Sequence, residues 1–372
     1  SDVYKRQPIH GASMVGKYIQ ESKLINSSFD CYYINLATAG DLSDIGQFSL
    51  KKILKYAFLL KQIVHLVKSV HPDLVYITPN ARGKAFCKDF IVVQILKGLG
   101  CKVLAHYHNK GVANCQKKWL DDLLYKHFFK NLKVILLAEV LYRDIAKYVK
   151  KEDVYVCPNG IPELLKEEWR IRKNNKIPHL LFLSNLLVSK GVWTLLDACC
   201  ILKEKGYTFV CHFVGGETVE IDAVQFADEV EKRGLNNIVI YAGRKIGEEK
   251  EDFFCQADIF VFPTYYYNEC FPLVILEAMA HKLPIISTDE GGILDMVRDG
   301  VEGLICEKKN PVSLADCIAK LLDDVDLRAT LGDAGYKKFY SEFTQQRFEH
   351  RITEILSQNL SLISVSYTHL TL

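Results

Sequence analysis

Apolar positions recur along the chain in two alternating rhythms. Short runs rich in Val, Ile, Leu, Tyr and Phe, at residues 31–36, 73–78, 102–107, 133–137 and 154–157, predict strands. Between them, residues 50–70 place Ile53, Leu54, Ala57, Leu60, Ile63, Val64 and Val67 at helical spacing. Residues 85–99 predict a second helix, which stops at Gly100, a residue type suited to a helix C-terminus. The rhythm breaks at Pro158-Asn-Gly-Ile-Pro162, which carries turn chemistry, and a polar stretch runs from Glu163 to Lys176. A second series then begins. Residues 180–183, 208–214, 238–241, 259–262 and 284–287 predict strands, and helices are expected near 192–204, 224–233, 248–255, 272–280, 293–297 and 313–323. A last helix, over 344–356, carries the apolar stripe Phe348, Ile352, Ile355 and Leu356, with Thr344 as its expected N-cap. Strands that alternate with helices predict parallel α/β sheets, here in two doubly wound halves. The expected domains are 8–163 and 164–340, followed by a terminal helix within 341–363. Two such halves imply a cleft, with ligands beyond the carboxyl ends of the strands.

Composition narrows the class. The 372 residues are 49% apolar and 25% charged, an ordinary globular balance. No apolar run is long enough to span a bilayer and no secretory signal is visible. Twelve cysteines without a Cys-x-x-Cys pair fit neither a zinc site nor a disulfide framework, and point to a reducing, cytoplasmic setting. Charge divides unevenly: residues 1–165 hold 24 Lys and Arg against 14 Asp and Glu, a net of +10, and the remainder is net −8. The basic half suits an anionic partner such as a membrane surface, a lipid phosphate or nucleic acid, although no nucleic-acid reader motif accompanies it. Lys117-Lys-Trp119 and Lys126-His-Phe-Phe-Lys130 mix cations with aromatics, as an anionic membrane interface or an ordinary half-buried helix would.

One short DNA string can encode parts of both ends. Asp2 to Gln7 can be encoded by GAT GTG TAT AAG AGA CAG, and its reverse complement in a shifted frame gives Val365-Ser-Tyr-Thr-His369. Residues 1–7 and 364–372 are therefore expected to be adapter-derived, with a first strand truncated upstream.

The chemistry concentrates in Glu269-Cys-Phe-Pro-Leu-Val-Ile-Leu-Glu277. The preceding run, Phe260 to Thr264, ends a strand, and Pro272 is expected at the first helical position. A helix start after a strand offers free N–H groups and a positive dipole to an anion such as a diphosphate. Two carboxylates beside that anion need hydroxyl partners, and a nucleotide sugar supplies diphosphate, ribose and hexose together.

In these residues the chain resembles family 4 of the glycosyltransferases, retaining enzymes of the GT-B fold. The family signature is Glu, seven residues, then Glu followed by Ala-Met-Ala, as in Glu269 to Ala280 here. Pro158 to Ile161, Leu183 to Gly191, Val214-Gly-Gly216, Pro284 to Gly292 and Asp299 to Gly303 resemble further segments in the same order. The resemblance implies two Rossmann-like domains facing a cleft, with the C-terminal helix crossing back to the first. It implies that Glu269 contacts the transferred sugar and Glu277 the ribose, while main-chain amides of Cys270, Phe271, Pro272 and Leu273 hold hydroxyls and phosphate. Lys190 matches the lysine that neutralises the diphosphate. Asn185 stands where the family has an arginine, and Arg244 or Lys245 is expected to compensate. His108, with His106 as rival, matches a position that reaches the donor sugar, and Gly11, in Ile9 to Ser13, one that admits the diphosphate. The donor is expected to be UDP- or GDP-linked, with no metal or other cofactor and no nucleic-acid partner. The acceptor is expected to be a glycan or lipid-linked molecule, met in the cytoplasm or on the inner membrane face during bacterial cell-surface polysaccharide synthesis. A GT-B-fold sugar-nucleotide epimerase and a non-catalytic sugar-nucleotide binder are the alternatives.

Overall fold

The structure, a computed structural model, describes residues 11–36, 50–163, 175–360 and 368–371. The first expected adapter segment, most of the second, the start of the Ile9–Ser13 loop and most of the polar stretch 163–176 lie outside the described residues.

Strands β1 (Asp30–Tyr33), β2 (Leu74–Ile77), β3 (Val103–Tyr107), β4 (Lys133–Leu136) and β5 (Val154–Val156) belong to the first sheet. The second holds β6 (His179–Leu183), β7 (Val210–Val214), β8 (Val239–Gly243), β9 (Ile259–Phe262), β10 (Ile285–Ser287) and β11 (Gly303–Ile305). A final strand, β12 (Thr368–Thr371), lies in the first sheet between β1 and β2, with Asp30 opposite Thr368 and Leu370 opposite Val75. The sheet orders are β1-β12-β2-β3-β4-β5 and β11-β10-β9-β6-β7-β8, and every named pairing is parallel. Parallel sheets covered by helices on both faces explain the unbroken apolar strands. All four residues of β2 and of β9 are buried.

The chain forms two units: residues up to Asn159 together with those from Gln346 onward, and residues Gly160–Gln345. The terminal helix, Gln345–Asn359, explains this division. Its stripe of Phe348, Ile352, Ile355 and Leu356 packs into the core of the first unit, with Val15, Ile19, Leu74, Tyr76, Leu104, Ile135 and Cys157. Each such buried side chain contributes about 1.5–3 kcal/mol, enough to hold a 15-residue helix that would be marginal alone.

Local chemistry fixes several helix starts in the second unit. Asp222 and Gln225 form a reciprocal capping box at the helix Ala223–Lys232. Asn310 caps the helix Pro311–Asp323, with proline at its first position. The helix Val325–Lys338 was not predicted, because two of its four buried positions are Gly332 and Gly335, which interrupt the apolar period. The strand β11 was not predicted, because Gly303 opens it and only Leu304 and Ile305 carry an apolar signal. Pro272 corrects a third expectation: it is the N-cap, with extended backbone at φ −68° and ψ 117°, and the helix runs Leu273–Ala280. Among the described residues no helix is long and apolar enough to cross a membrane.

Candidate active site

In the second sheet β6 lies between β7 and β9, so the order of connection reverses beside it. Such a reversal opens a crevice beyond the carboxyl ends of the strands. The predicted residues of this unit follow those ends: Asn185 after β6, Gly216 after β7, Arg244 after β8, and the loop to Pro272 after β9.

The β9 loop is tied down along its length. The Tyr265 N–H donates to the Ser189 carbonyl at 2.8 Å, and the Glu269 N–H to the Tyr266 carbonyl at 2.7 Å. Asn268 Nδ2 donates to the Tyr266 hydroxyl at 3.1 Å. On its other side the Gly292 N–H donates to the Cys270 carbonyl at 2.7 Å. The loop thus sits between the Val188–Lys190 turn and the Gly291–Gly292 turn.

This placement brings Lys190 to Glu269, and the two form an ion pair with side chains only 14% and 11% exposed. The Lys190 ammonium also lies 4.7 Å from the Tyr266 ring centre and 5.2 Å from that of Phe262, a favourable cation–π arrangement. Glu269 is therefore neither a surface loop residue nor an isolated carboxylate. Truncating one partner of such a shielded pair would strand the other charge, at a cost of about 3–5 kcal/mol.

Cys270 and Phe271 are buried, and Phe271 meets the Phe343 ring edge-on at 5.6 Å. Their side chains anchor the loop, so what the segment can offer a ligand is backbone. Pro272 carries no N–H, which removes one of the expected amide donors and leaves Cys270, Phe271 and Leu273.

The Gly216 N–H donates to Asn185 Oδ1 at 3.3 Å. Arg244 Cδ lies 3.9 Å from the point where a Cβ on Gly216 would stand. Asn185 and Arg244 thus gather around one glycine at adjacent strand ends, and the Arg244 side chain is exposed. Lys245 instead pairs with Glu249 at 3.2 Å.

Glu277 lies on the second turn of the Leu273–Ala280 helix and is held by Lys250, with Nζ 2.9 Å from Oε1. Burial pushes the Glu277 carboxyl upward, and the Lys250 charge opposes it. Lys250 also meets Glu251 at 3.4 Å, and Glu251 meets His281 at 3.1 Å. Burial alone would push His281 down. Hydrogen bonds to Cys255, Glu251 and the Glu277 carbonyl instead carry it up to about 9. Sequence reasoning missed Lys250: within Glu248-Glu-Lys-Glu-Asp252 it reads as one charge of a solvated helix face.

His108 and Gly11 belong to the first unit. Gly11 begins the helix Gly11–Glu21. His106 is fully buried, bonded at 2.7 Å to the Tyr76 hydroxyl, and burial pushes its pKa well below the usual range. It is a core residue of β3. His108 follows the strand, half-buried, with its ring 4.2 Å from that of His106. Of the two, His108 is the less enclosed, although both of its ring nitrogens are buried. Among the described residues no group of three or more His, Cys, Asp or Glu is placed to hold a metal ion.

The two parallel α/β units have the GT-B fold. The glycosyltransferase from Rickettsia africae superposes with a TM-score of 0.70 at 19% identity, over 94% of this chain and 93% of that one. Anabaena Alr3699/HepE, solved with UDP, superposes with a TM-score of 0.68 at 18% identity, over 81% and 82%. The model of the family described as glycosyl transferases group 1 matches residues 165–338, which make up nearly all of the second unit. The capsular polysaccharide biosynthesis glycosyltransferase CapM of Staphylococcus aureus is 30% identical over 165 residues, 44% of this chain and 42% of CapM. The chain spans about half the length of the curated relatives it matches first.

Proposed function

We propose that this protein is a family 4 glycosyltransferase. In this reading it moves a sugar, with retention, from a UDP- or GDP-linked donor to a glycan or lipid-linked acceptor in cell-surface polysaccharide synthesis. The observation that carries the reading is the shielded Lys190–Glu269 pair on the loop that leads into the Leu273–Ala280 helix. The capsular function in CapM's name and the UDP bound to HepE support it.

Breaking the bond from the anomeric carbon to the diphosphate sends the electron pair to a phosphate oxygen and leaves positive charge on the sugar. Lys190, the amides of Phe271 and Leu273 and the positive helix start stabilise the departing diphosphate. Glu269 faces the developing positive charge. Lys190 thus serves two anions, Glu269 before the donor arrives and the diphosphate afterwards. Arg244, beside Asn185, supplies the cation that Asn185 lacks. Glu277 accepts hydrogen bonds from the ribose.

Incubation with UDP- and GDP-sugars and glycan or polyprenyl-phosphate acceptors, read by mass spectrometry, tests this reading. One donor is expected to yield a glycosylated acceptor and free nucleoside diphosphate, with an unchanged anomeric configuration by NMR. An epimerised donor with no acceptor product would favour the epimerase.

The basic half bears on the acceptor. On the helix Trp119–Phe129, Trp119, Leu120 and Leu123 are 77%, 51% and 42% exposed, and Lys126 lies on the same face. Phe128 and Phe129 are buried, as in an ordinary half-buried helix. An exposed apolar strip rimmed by lysines suits an anionic bilayer that carries a lipid-linked acceptor. Flotation is expected with vesicles containing anionic lipid. Replacing both Trp119 and Leu123 by alanine should weaken it about tenfold or more. Equal flotation with neutral vesicles would remove the anionic preference, and no flotation with either would remove the membrane from the reading.

A further inference from the structure

We propose that Lys250 is a positioning residue for Glu277, committing one carboxylate oxygen to an internal cation and reserving the other for the donor's ribose hydroxyls; the inference rests on the nucleotide-sugar reading above.

Four groups close a circuit between two helices. Lys250 and Glu251 lie on the helix Glu248–Gln256, and Glu277 opens the last turn before His281. Lys250 Nζ stands 2.9 Å from Glu277 Oε1 and 3.4 Å from Glu251 Oε1. Glu251 Oε2 meets His281 Nε2 at 3.1 Å, and the other ring nitrogen of His281 lies 2.8 Å from the Glu277 carbonyl oxygen. His281 is itself fixed, stacked on Phe254 at 4.8 Å and 14°. Glu277 is therefore gripped at its backbone by one end of the circuit and at its carboxylate by the other.

This arrangement differs from a surface ion pair, which contributes about 1 kcal/mol or less. The Lys250 and Glu277 side chains are each 22% exposed, so the pair is largely packed without being sealed from solvent. Among the described residues no protein hydrogen bond is made to Glu277 Oε2, whereas Oε1 is engaged. A free glutamate would have to surrender rotamer freedom when it bound a diol. Lys250 removes that freedom beforehand, which is preorganisation rather than added contact. It also opposes in part the burial that pushes the carboxyl upward, and so favours the charged form, whose hydrogen bonds are the stronger kind. The ligand chemistry recognised is a vicinal diol on a nucleoside diphosphate.

The test is calorimetric binding of UDP, GDP and their 2′-deoxy analogues to the full chain. Hydrogen bonds to charged groups contribute enough that the unaltered protein should prefer the ribonucleotide about tenfold or more. In Lys250→Met this preference should fall to within about twofold, with Lys250→Arg restoring it. Lys250→Gln serves as a second replacement should the methionine variant not fold. In a Glu277→Ala background, Lys250→Met should change the preference no further. A Lys250→Met protein that keeps the full ribose preference overturns this inference and leaves the glycosyltransferase reading standing. Failure of the unaltered protein to bind any of these nucleotides overturns that reading, and this inference with it.

Discussion

Replacing Glu269 by glutamine is expected to lower the rate of sugar transfer by about 10²–10³-fold while nucleotide binding is retained or tightened. Glutamine keeps the shape of the side chain and a carbonyl oxygen for Lys190, so the loop stays in place. It removes the negative charge, and with it the attraction to the cationic sugar of the transition state. An interaction that strengthens only as the bond breaks appears in kcat rather than in ground-state affinity. Lys190, relieved of a carboxylate, is left with the diphosphate as its partner anion, so calorimetric affinity for the nucleoside diphosphate should stay level or rise. Lys190→Met should behave differently. It strands Glu269, whose side chain is 11% exposed, so both the melting temperature and donor affinity should fall. The double variant Lys190→Met/Glu269→Gln should recover much of the lost melting temperature without recovering activity. Wild-type turnover in Glu269→Gln would remove the carboxylate from the chemistry.

Much of this site was legible in the sequence, for physical reasons that can be stated residue by residue. Parallel strands buried on both faces read as apolar runs, so β9 was found at Ile259–Phe262 from pattern alone. The stripe Phe348, Ile352, Ile355 and Leu356 disclosed the terminal helix, and the GT-B resemblance implied where it goes. Spacing could not disclose pairings between segments far apart in the chain. Lys190 and Glu269 were each assigned to a different part of the ligand, and only the fold shows that they hold each other. Lys250 was hidden because a cation in an acidic helix start carries no apolar signature, and its partner lies 27 residues away. The mixed cation and aromatic motif was open for another reason. Aromatic residues between lysines fit a membrane interface or a half-buried helix equally, and the helical turn directs Phe128 and Phe129 inward and leaves Trp119 and Leu123 outside.

Gly291→Ala should be as damaging to activity as losing a side chain from the site, although Gly291 has no side chain to lose. Its backbone sits at φ +59°, a conformation that costs a non-glycine residue about 1–3 kcal/mol. A Cβ at that position would lie 2.1 Å from the Glu269 carbonyl oxygen, 2.8 Å from its carbon and 3.2 Å from Cys270 Cα. All three are backbone atoms, so no side-chain rotation relieves the contact. The neighbouring Gly292 N–H holds the Cys270 carbonyl at 2.7 Å, which prevents the two segments from separating cheaply. The methyl group must therefore displace the loop that carries Glu269, Cys270 and Phe271, and a misplacement of about 1 Å in positioning groups lowers rates about 100-fold. Gly300→Ala separates strain from displacement. It has a similar φ of +72°, but nothing lies within 4 Å of its Cβ position. It should lose some melting temperature and keep its turnover, whereas Gly291→Ala should lose both. Equal, near-normal turnover in the two variants would show that the loop does not depend on this close approach.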